Sequence, residues 1–214
     1  MDFQKIRKEY ADKGIVAEEM NPDPVEQFRL WYQSAVDTSP GAWCEPNAMT
    51  LATADLTGRV TARVVLMKGI QPKGIRFFTN YESQKGQQLA DNPRASVVFN
   101  WAHLSRQVRI EGEVSKTTRE VSEEYFHSRP RGSQLGAAVS SQSKVIQSRE
   151  ELDVAKKELE AKLNGAEVPL PDFWGGYLLT ADRFEFWQGR LDRLHDRFTY
   201  RNEGGGWQQV RLSP

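Results

Sequence analysis

The stretch from Asn47 to Thr79 constrains the fold most. A period of two runs through Met49–Ala54 and Val60–Met67, and Ile75–Thr79 reads as a third strand. That period sends alternate side chains to opposite faces of a β-strand. Asp55-Leu56-Thr57-Gly58 and Gln71-Pro72-Lys73-Gly74 supply turn residues between the strands. Strands joined by turns this short are expected to be antiparallel neighbours. No glycine-rich strand-to-helix turn accompanies them, which removes the dinucleotide-binding and P-loop readings.

The flanking sequence fits a sheet with peripheral helices. Asp23 and Pro24 open a helix whose stripe is Val25, Phe28, Trp31, Tyr32 and Ala35, and Ser39-Pro40-Gly41 ends it. Ser83 caps a short helix to Ala90. Ala95–Trp101 and Arg106–Val114 read as a hairpin. Thr118–His127 is predicted helical, with Val121, Tyr125 and Phe126 as its apolar edge. Residues 129–143 read as a structured loop or very short helix. Ser148–Asn164 is the clearest helix, with a Ser148–Glu151 capping box, a Leu152, Ala155, Leu159, Leu163 stripe and Gly165 as its stop. Tyr177–Thr180, Phe184–Trp187, Phe198–Arg201 and Trp207–Arg211 complete about eight expected strands. The expectation is one mainly β domain with peripheral helices (α+β) over residues 23–214, preceded by a flexible polar segment, 1–22. The pattern leaves barrel and sandwich equally open.

Lys+Arg and Asp+Glu are balanced at 29 each, so no overall field draws nucleic acid or an acidic membrane. Any anion site must be a local cluster. The single cysteine, Cys44, excludes an internal disulfide framework and suits a reducing compartment. The charged start MDFQKIRKEY has no apolar run, so neither secretion nor membrane spanning is expected, and the default location is the cytoplasm.

Such clusters exist. In Phe184–Arg197, FEFWQGRLDRLHDR, the residues Arg193, His195 and Arg197 recur at intervals of two. If the segment is extended, they share a face and need an anion between them, with the flat ring of Trp187 just upstream. The plainer reading is a solvated face neutralised by Asp192 and Asp196. Tyr125, Arg129 and Ser133 bring a phenol, a guanidinium and a hydroxyl around the turn at Pro130, a plausible phosphate cage. Arg63 and Lys68 bracket the apolar run Val64–Met67. Five residues apart, they point to opposite faces of a regular strand, so a bulge or the strand's end must re-aim one of them. The helix start at Ser83–Lys85 suits phosphate through its free N–H groups. Gln107, between apolar neighbours, reads as either a satisfied core amide or a ligand contact.

The run F-E-F-W-Q, four residues, then R-L-H-D-R, together with Tyr125–Gln134 and Arg63–Lys68, resembles the pyridoxine (pyridoxamine) 5′-phosphate oxidases. That resemblance covers nearly the whole chain and implies an FMN-binding split barrel, a homodimer with cofactor sites between its subunits. It implies FMN contacts from Arg63, Val64, Val65, Leu66, Met67, Lys68, Phe78, Thr79, Gln84, Lys85, Gln107, Gln142, Ser143, Trp187 and Arg197. The family often has a basic residue where this chain has Gln84. It implies that Lys68, Tyr125, Arg129 and Ser133 hold a substrate phosphate, and that Arg193 and His195 orient the reacting 4′ substituent. Arg7 and Tyr10 resemble a segment folding over the substrate. The implied reaction is oxidation of pyridoxine or pyridoxamine 5′-phosphate by dioxygen to pyridoxal 5′-phosphate and hydrogen peroxide, with no metal. A non-catalytic flavin- or heme-binding split barrel would not need Tyr125, Arg129, Ser133 or the R-L-H-D-R row. An RNA-binding β-barrel fits poorly with zero net charge.

Overall fold

The computed structural model describes residues 14–214. Helix α1 (Pro24–Asp37) starts where its cap places it, the Asp23 side chain accepting from the Val25 amide at 2.8 Å. Its buried stripe closes one side of the sheet. The Phe28 ring lies 4.9 Å from Phe99, and Trp31 meets Phe186 edge-on at 5.2 Å.

β1 (Ala48–Ala54) and β2 (Val60–Leu66) form the expected antiparallel hairpin, in register from Ala48↔Leu66 to Ala54↔Val60. The third strand corrects the expectation. β4 (Gly74–Asn80) does not neighbour β2; its hairpin partner is a three-residue strand, β3 (Gly69–Gln71). The tight turn at Gln71–Gly74 therefore joins β3 to β4, and β2 and β3 lie at opposite ends of the main strand path. That path runs β2-β1-β5-β6-β7-β4-β3, with β5 (Arg94–Trp101), β6 (Arg106–Lys116) and β7 (Trp174–Gln188) at its centre. The chain changes partner within two residues. The Met67 amide bonds Asn47 O at 2.8 Å on the β1 side, and the Lys68 amide bonds Arg76 O at 2.7 Å on the β4 side. One continuous stretch thus links the two ends of a curled sheet.

β7 is one strand where two were expected. Its first half pairs with β4 and its second with β8 (Asp196–Glu203), while β6 runs along its length. A register shift between Glu111 and Gly112 leaves Asp182 unpaired and bends the strand there. The bend needs a residue without a side chain. A Cβ on Gly112 would lie 2.0 Å from Thr180 O. Gly112→Val is accordingly expected to cost about 3 kcal/mol through overpacking, lowering the thermal midpoint by roughly 6–12 °C. An unchanged midpoint in a melting curve would show that the bulge yields. β9 (Gly206–Leu212) pairs with β8 across the glycine turn, giving nine strands where about eight were expected.

α2 (Gln84–Asp91) follows β4, with the Ser83 side chain as its cap. α3 (Arg119–Ser128) and α5 (Arg149–Leu163) match their predicted segments, but α4 (Arg131–Val139) is a nine-residue helix where a loop or very short helix was expected. The capping box of α5 is also corrected. The Ser148 hydroxyl caps no amide, and Glu151 reaches the Gln147 amide instead. Phe126, Leu135, Val168, Leu170 and Trp174 form a second core between these helices and the sheet. Residues 14–22 pack onto the domain. The Ile15 amide donates to Asp196 at 2.9 Å, the Tyr200 hydroxyl donates to Asn21 O at 2.8 Å, and Met20 is buried. No helix among the described residues is long and apolar enough to cross a membrane.

Candidate functional site

The partner switch at Met67–Lys68 settles how Arg63 and Lys68 meet. β2 ends at Leu66, so Lys68 belongs to the stretch that pairs with β4, and the alternation that separates the two cations stops between them. Both line a cavity of about 410 Å³. Val64, Val65, Leu66, Phe78, Thr79, Asn80, Lys85, Tyr125, Arg129, Gln142 and Trp174 line it too. Its lining holds four cationic side chains and no carboxylate, and none of the four makes an ion pair among the described residues.

Lys85 is held by neutral oxygens. Its Nζ donates to Gln142 Oε1 at 2.9 Å, to Thr79 Oγ1 at 3.2 Å and to Ser83 Oγ at 3.3 Å. Burial, and then the charge of Arg63, push this ammonium down to about 8. Burial also lowers Arg63 and Arg129. Arg129 caps the end of α3 beside an aromatic stack. Phe78 and Tyr125 lie 4.0 Å apart, and Trp174 lies 5.8 Å from Phe78. The Arg129 guanidinium sits 4.8 Å above Trp174, and its Nη1 is buried without a hydrogen-bond partner. An orphaned buried donor among unpaired cations is unfavourable without an anion. The cavity therefore suits an anionic group beside an aromatic wall.

A second group lies elsewhere on the sheet. Gln107 pairs with Trp187, and Trp187 pairs with Arg197, so the three form a row across β6, β7 and β8. Their neighbours Val108, Phe186 and Phe198 are buried, which puts the row on the outer face. Gln107 is half-buried there and is not a core amide. The extended R-L-H-D-R row is overturned. Leu191–Arg193 forms a 3₁₀ turn, Asp192 and Arg193 have φ of 54° and 61°, and β8 starts only at Asp196. Arg193 is exposed on that turn. His195 lies 4.6 Å from the Trp187 ring, and its Nδ1 accepts from the Arg190 amide at 3.1 Å. Burial and then Arg193 lower its pKa. The expected local neutralisation is different too. Asp196 pairs with Arg190 and Arg211, while Arg197 pairs with Glu185 at 3.0 Å.

Met67 is buried in the core, and Gln84, Ser133 and Ser143 are exposed and outside the cavity lining. Arg7 and Tyr10 lie outside the described residues. Sequence reasoning missed Asn80, Trp174 and Glu185. Trp174-Gly175-Gly176 did carry a signal, since a Cβ on Gly175 would lie 2.1 Å from the Tyr81 hydroxyl oxygen. Glu185 was visible as a lone carboxylate among aromatics in F-E-F-W.

Residues 41–162 match a family described as pyridoxamine 5′-phosphate oxidase, and residues 174–214 match the pyridoxine 5′-phosphate oxidase C-terminal dimerisation region. A Rhodopirellula baltica protein named pyridoxine/pyridoxamine 5′-phosphate oxidase is 49% identical, over 99% of this chain and 96% of that protein. One of the same name from Paraburkholderia phymatum is 52% identical over 98% and 97%. Among solved structures, PhzG from Burkholderia lata 383, in complex with tetrahydrophenazine-1-carboxylic acid, superposes with a TM-score of 0.86 at 28% identity, covering 95% of this chain and 99% of that one. A pyridoxamine 5′-phosphate oxidase-related, FMN-binding protein from Nostoc punctiforme shares the fold at a TM-score of 0.70 and 14% identity, over 91% of this chain and 100% of that one.

Proposed function

The chain belongs to the pyridoxamine 5′-phosphate oxidase family, and from that premise we propose that it oxidises pyridoxine 5′-phosphate and pyridoxamine 5′-phosphate to pyridoxal 5′-phosphate, using bound FMN and dioxygen. The observation that carries this reading is the cavity where Arg63, Lys68, Lys85 and Arg129 converge without a carboxylate. Two phosphate monoesters, one on the cofactor and one on the substrate, bring about −2 each at neutral pH. Four cations offset that charge.

In this reading Arg63 and Lys85, with Thr79 and Gln142, hold the cofactor phosphate. In this reading Lys68, Tyr125 and Arg129 hold the substrate phosphate, and Ser133, exposed at the start of α4 and outside the lining, turns toward it when it binds. Anchoring the phosphate aligns the remote reacting carbon and supplies orientation from binding energy. FMN held there would supply two-electron redox chemistry, taking a hydride equivalent from the substrate and reducing dioxygen to hydrogen peroxide. Pyridoxine 5′-phosphate gives the aldehyde directly, whereas the amine also consumes water and releases ammonia. Gln107, Trp187, Arg193, His195 and Arg197 are absent from the lining of this chain's cavity. In this reading a second copy supplies them, in keeping with the dimerisation region matched at 174–214. Arg193 and His195 then orient the 4′ substituent. The single half-buried Cys44 agrees with a reducing, cytoplasmic setting.

Lys85 makes the reading pH-dependent in a defined direction. Its ammonium attracts phosphate only while protonated, and its folded-state pKa is about 8. FMN affinity is expected to fall by up to about tenfold per pH unit above 8, until the bound-state pKa is reached. The flavin-free fold responds with the opposite sign. Between about 8 and 10.5 the unfolded chain keeps a proton on Lys85 that the native state has released, so native stability rises with pH. FMN titrations and melting curves from pH 7 to about 10 check both signs. A flat FMN affinity would remove Lys85 from the phosphate site.

The visible spectrum of the purified protein tests the whole reading. A yellow flavin spectrum that bleaches on anaerobic addition of pyridoxine 5′-phosphate and returns with air is the expected result. A flavin spectrum that never bleaches would keep the cofactor and remove the substrate. Failure to bind FMN at all would overturn both.

A further inference from the structure

Arg63 reaches the cavity from β2, and its guanidinium is gripped from behind. Nη1 donates to Leu51 O at 3.2 Å and to Thr53 Oγ1 at 2.7 Å, and Nη2 donates to Thr61 Oγ1. A threonine hydroxyl accepts from arginine only if its own hydrogen is directed elsewhere. Here both hydrogens go to one atom. Thr53 Oγ1 donates to Gln88 Oε1 at 2.6 Å, and Thr61 Oγ1 donates to the same oxygen at 2.7 Å. Turning the amide over would give each hydroxyl a second donor and leave its hydrogen without this acceptor, so the oxygen must face the pair. Gln88 is 6% exposed and Thr53 2%. Gln88 also lies one helical turn beyond Lys85 on α2, so one rigid element bears on both cations.

We propose that Gln88 is a positioning residue for the cofactor phosphate: its side-chain oxygen orients the Thr53 and Thr61 hydroxyls, and they aim Arg63 at the anion that Lys85 also faces. The proposal rests on the reading that Arg63 holds the FMN phosphate. Gln88 itself touches no ligand. Its effect passes through two hydroxyls to a guanidinium that would otherwise be free to turn away from the cavity.

The test is FMN binding to flavin-stripped full-length protein, read by quenching of FMN fluorescence, with riboflavin as the analogue lacking phosphate. Gln88→Leu is expected to raise the FMN dissociation constant about tenfold, the effect of losing one hydrogen bond to a charged group. Riboflavin affinity should stay the same. In an Arg63→Ala background, Gln88→Leu should add nothing, because the residue it positions is gone. Thr61→Val, at a half-buried position, carries the same expectation if Gln88→Leu does not fold. Equal losses for FMN and riboflavin, or full additivity with Arg63→Ala, would overturn the proposal and leave Gln88 a core amide. An FMN dissociation constant unaltered by Arg63→Ala alone would instead overturn the underlying assignment of Arg63. Weakening by Arg63→Ala without weakening by Gln88→Leu or Thr61→Val would refute only the role of Gln88.

Discussion

Arg129→Ala is expected to lower kcat/KM for pyridoxine 5′-phosphate by roughly two to three orders of magnitude while the protein keeps its flavin. The guanidinium is stacked 4.8 Å above Trp174 and carries a buried Nη1 with no partner. Burial alone disfavours its charge. A phosphate bound there would satisfy the orphaned donor and the charge together, which would make the contact worth more than a surface ion pair. Hydrogen bonds to charged groups contribute about 1.5–3 kcal/mol each, and a two-pronged contact exceeds one. Arg129→Lys keeps the charge but loses the planar fork, so it should recover only part of the loss. Steady-state kinetics with the flavin content measured alongside decide the matter. Loss of flavin in proportion to activity would move Arg129 from the substrate to the cofactor.

Glu185→Ala is expected to be the most damaging change on the outer face. The Glu185 side chain is 5% exposed and joins two arginines, Arg109 at 2.7 Å and Arg197 at 3.0 Å. Its removal leaves Arg197 without its carboxylate, while Arg109 keeps Glu111 at 2.7 Å. Breaking a buried pair costs about 3–5 kcal/mol, and because both arginines are about one-third exposed, about 2–3 kcal/mol is expected here. That corresponds to a thermal midpoint lower by roughly 4–12 °C. Arg197 would also lose the carboxylate that orients it, so FMN should dissociate more readily. Glu185→Gln preserves shape without charge and should fall between the two. Scanning calorimetry and flavin release measure the two effects separately. A variant with native stability and native flavin retention would show that Glu111 suffices for Arg109 and that Arg197 finds another anion.

Much of the site was legible because it is written in local chemistry. Tyr125 and Arg129 sit four apart on α3 and its cap, and a helix fixes their relation without help from the rest of the chain. Lys85 follows the Ser83 cap by two residues, so the start of α2 carries both. What Glu185 pairs with could not be read in this way. Its partners lie 76 and 12 residues away, and only the strand register brings them together. The R-L-H-D-R row failed for a related reason. Spacing of two aligns side chains only on extended backbone, and the left-handed residues Asp192 and Arg193 break that condition.

The sequence by itself determined the hairpins, the capped helices and the clustering of cations near apolar strands, because alternation, turn residues and caps act over a few neighbouring residues. Only the tertiary structure decided which strands are neighbours. β2 and β4 were expected to pair across a turn, yet the chain exchanges partners between Met67 and Lys68, and the curled sheet brings its two ends together there. That exchange puts Lys68 into the same cavity as Arg63. Hydrogen bonding to distant strands, which no local pattern encodes, set the geometry of the cavity.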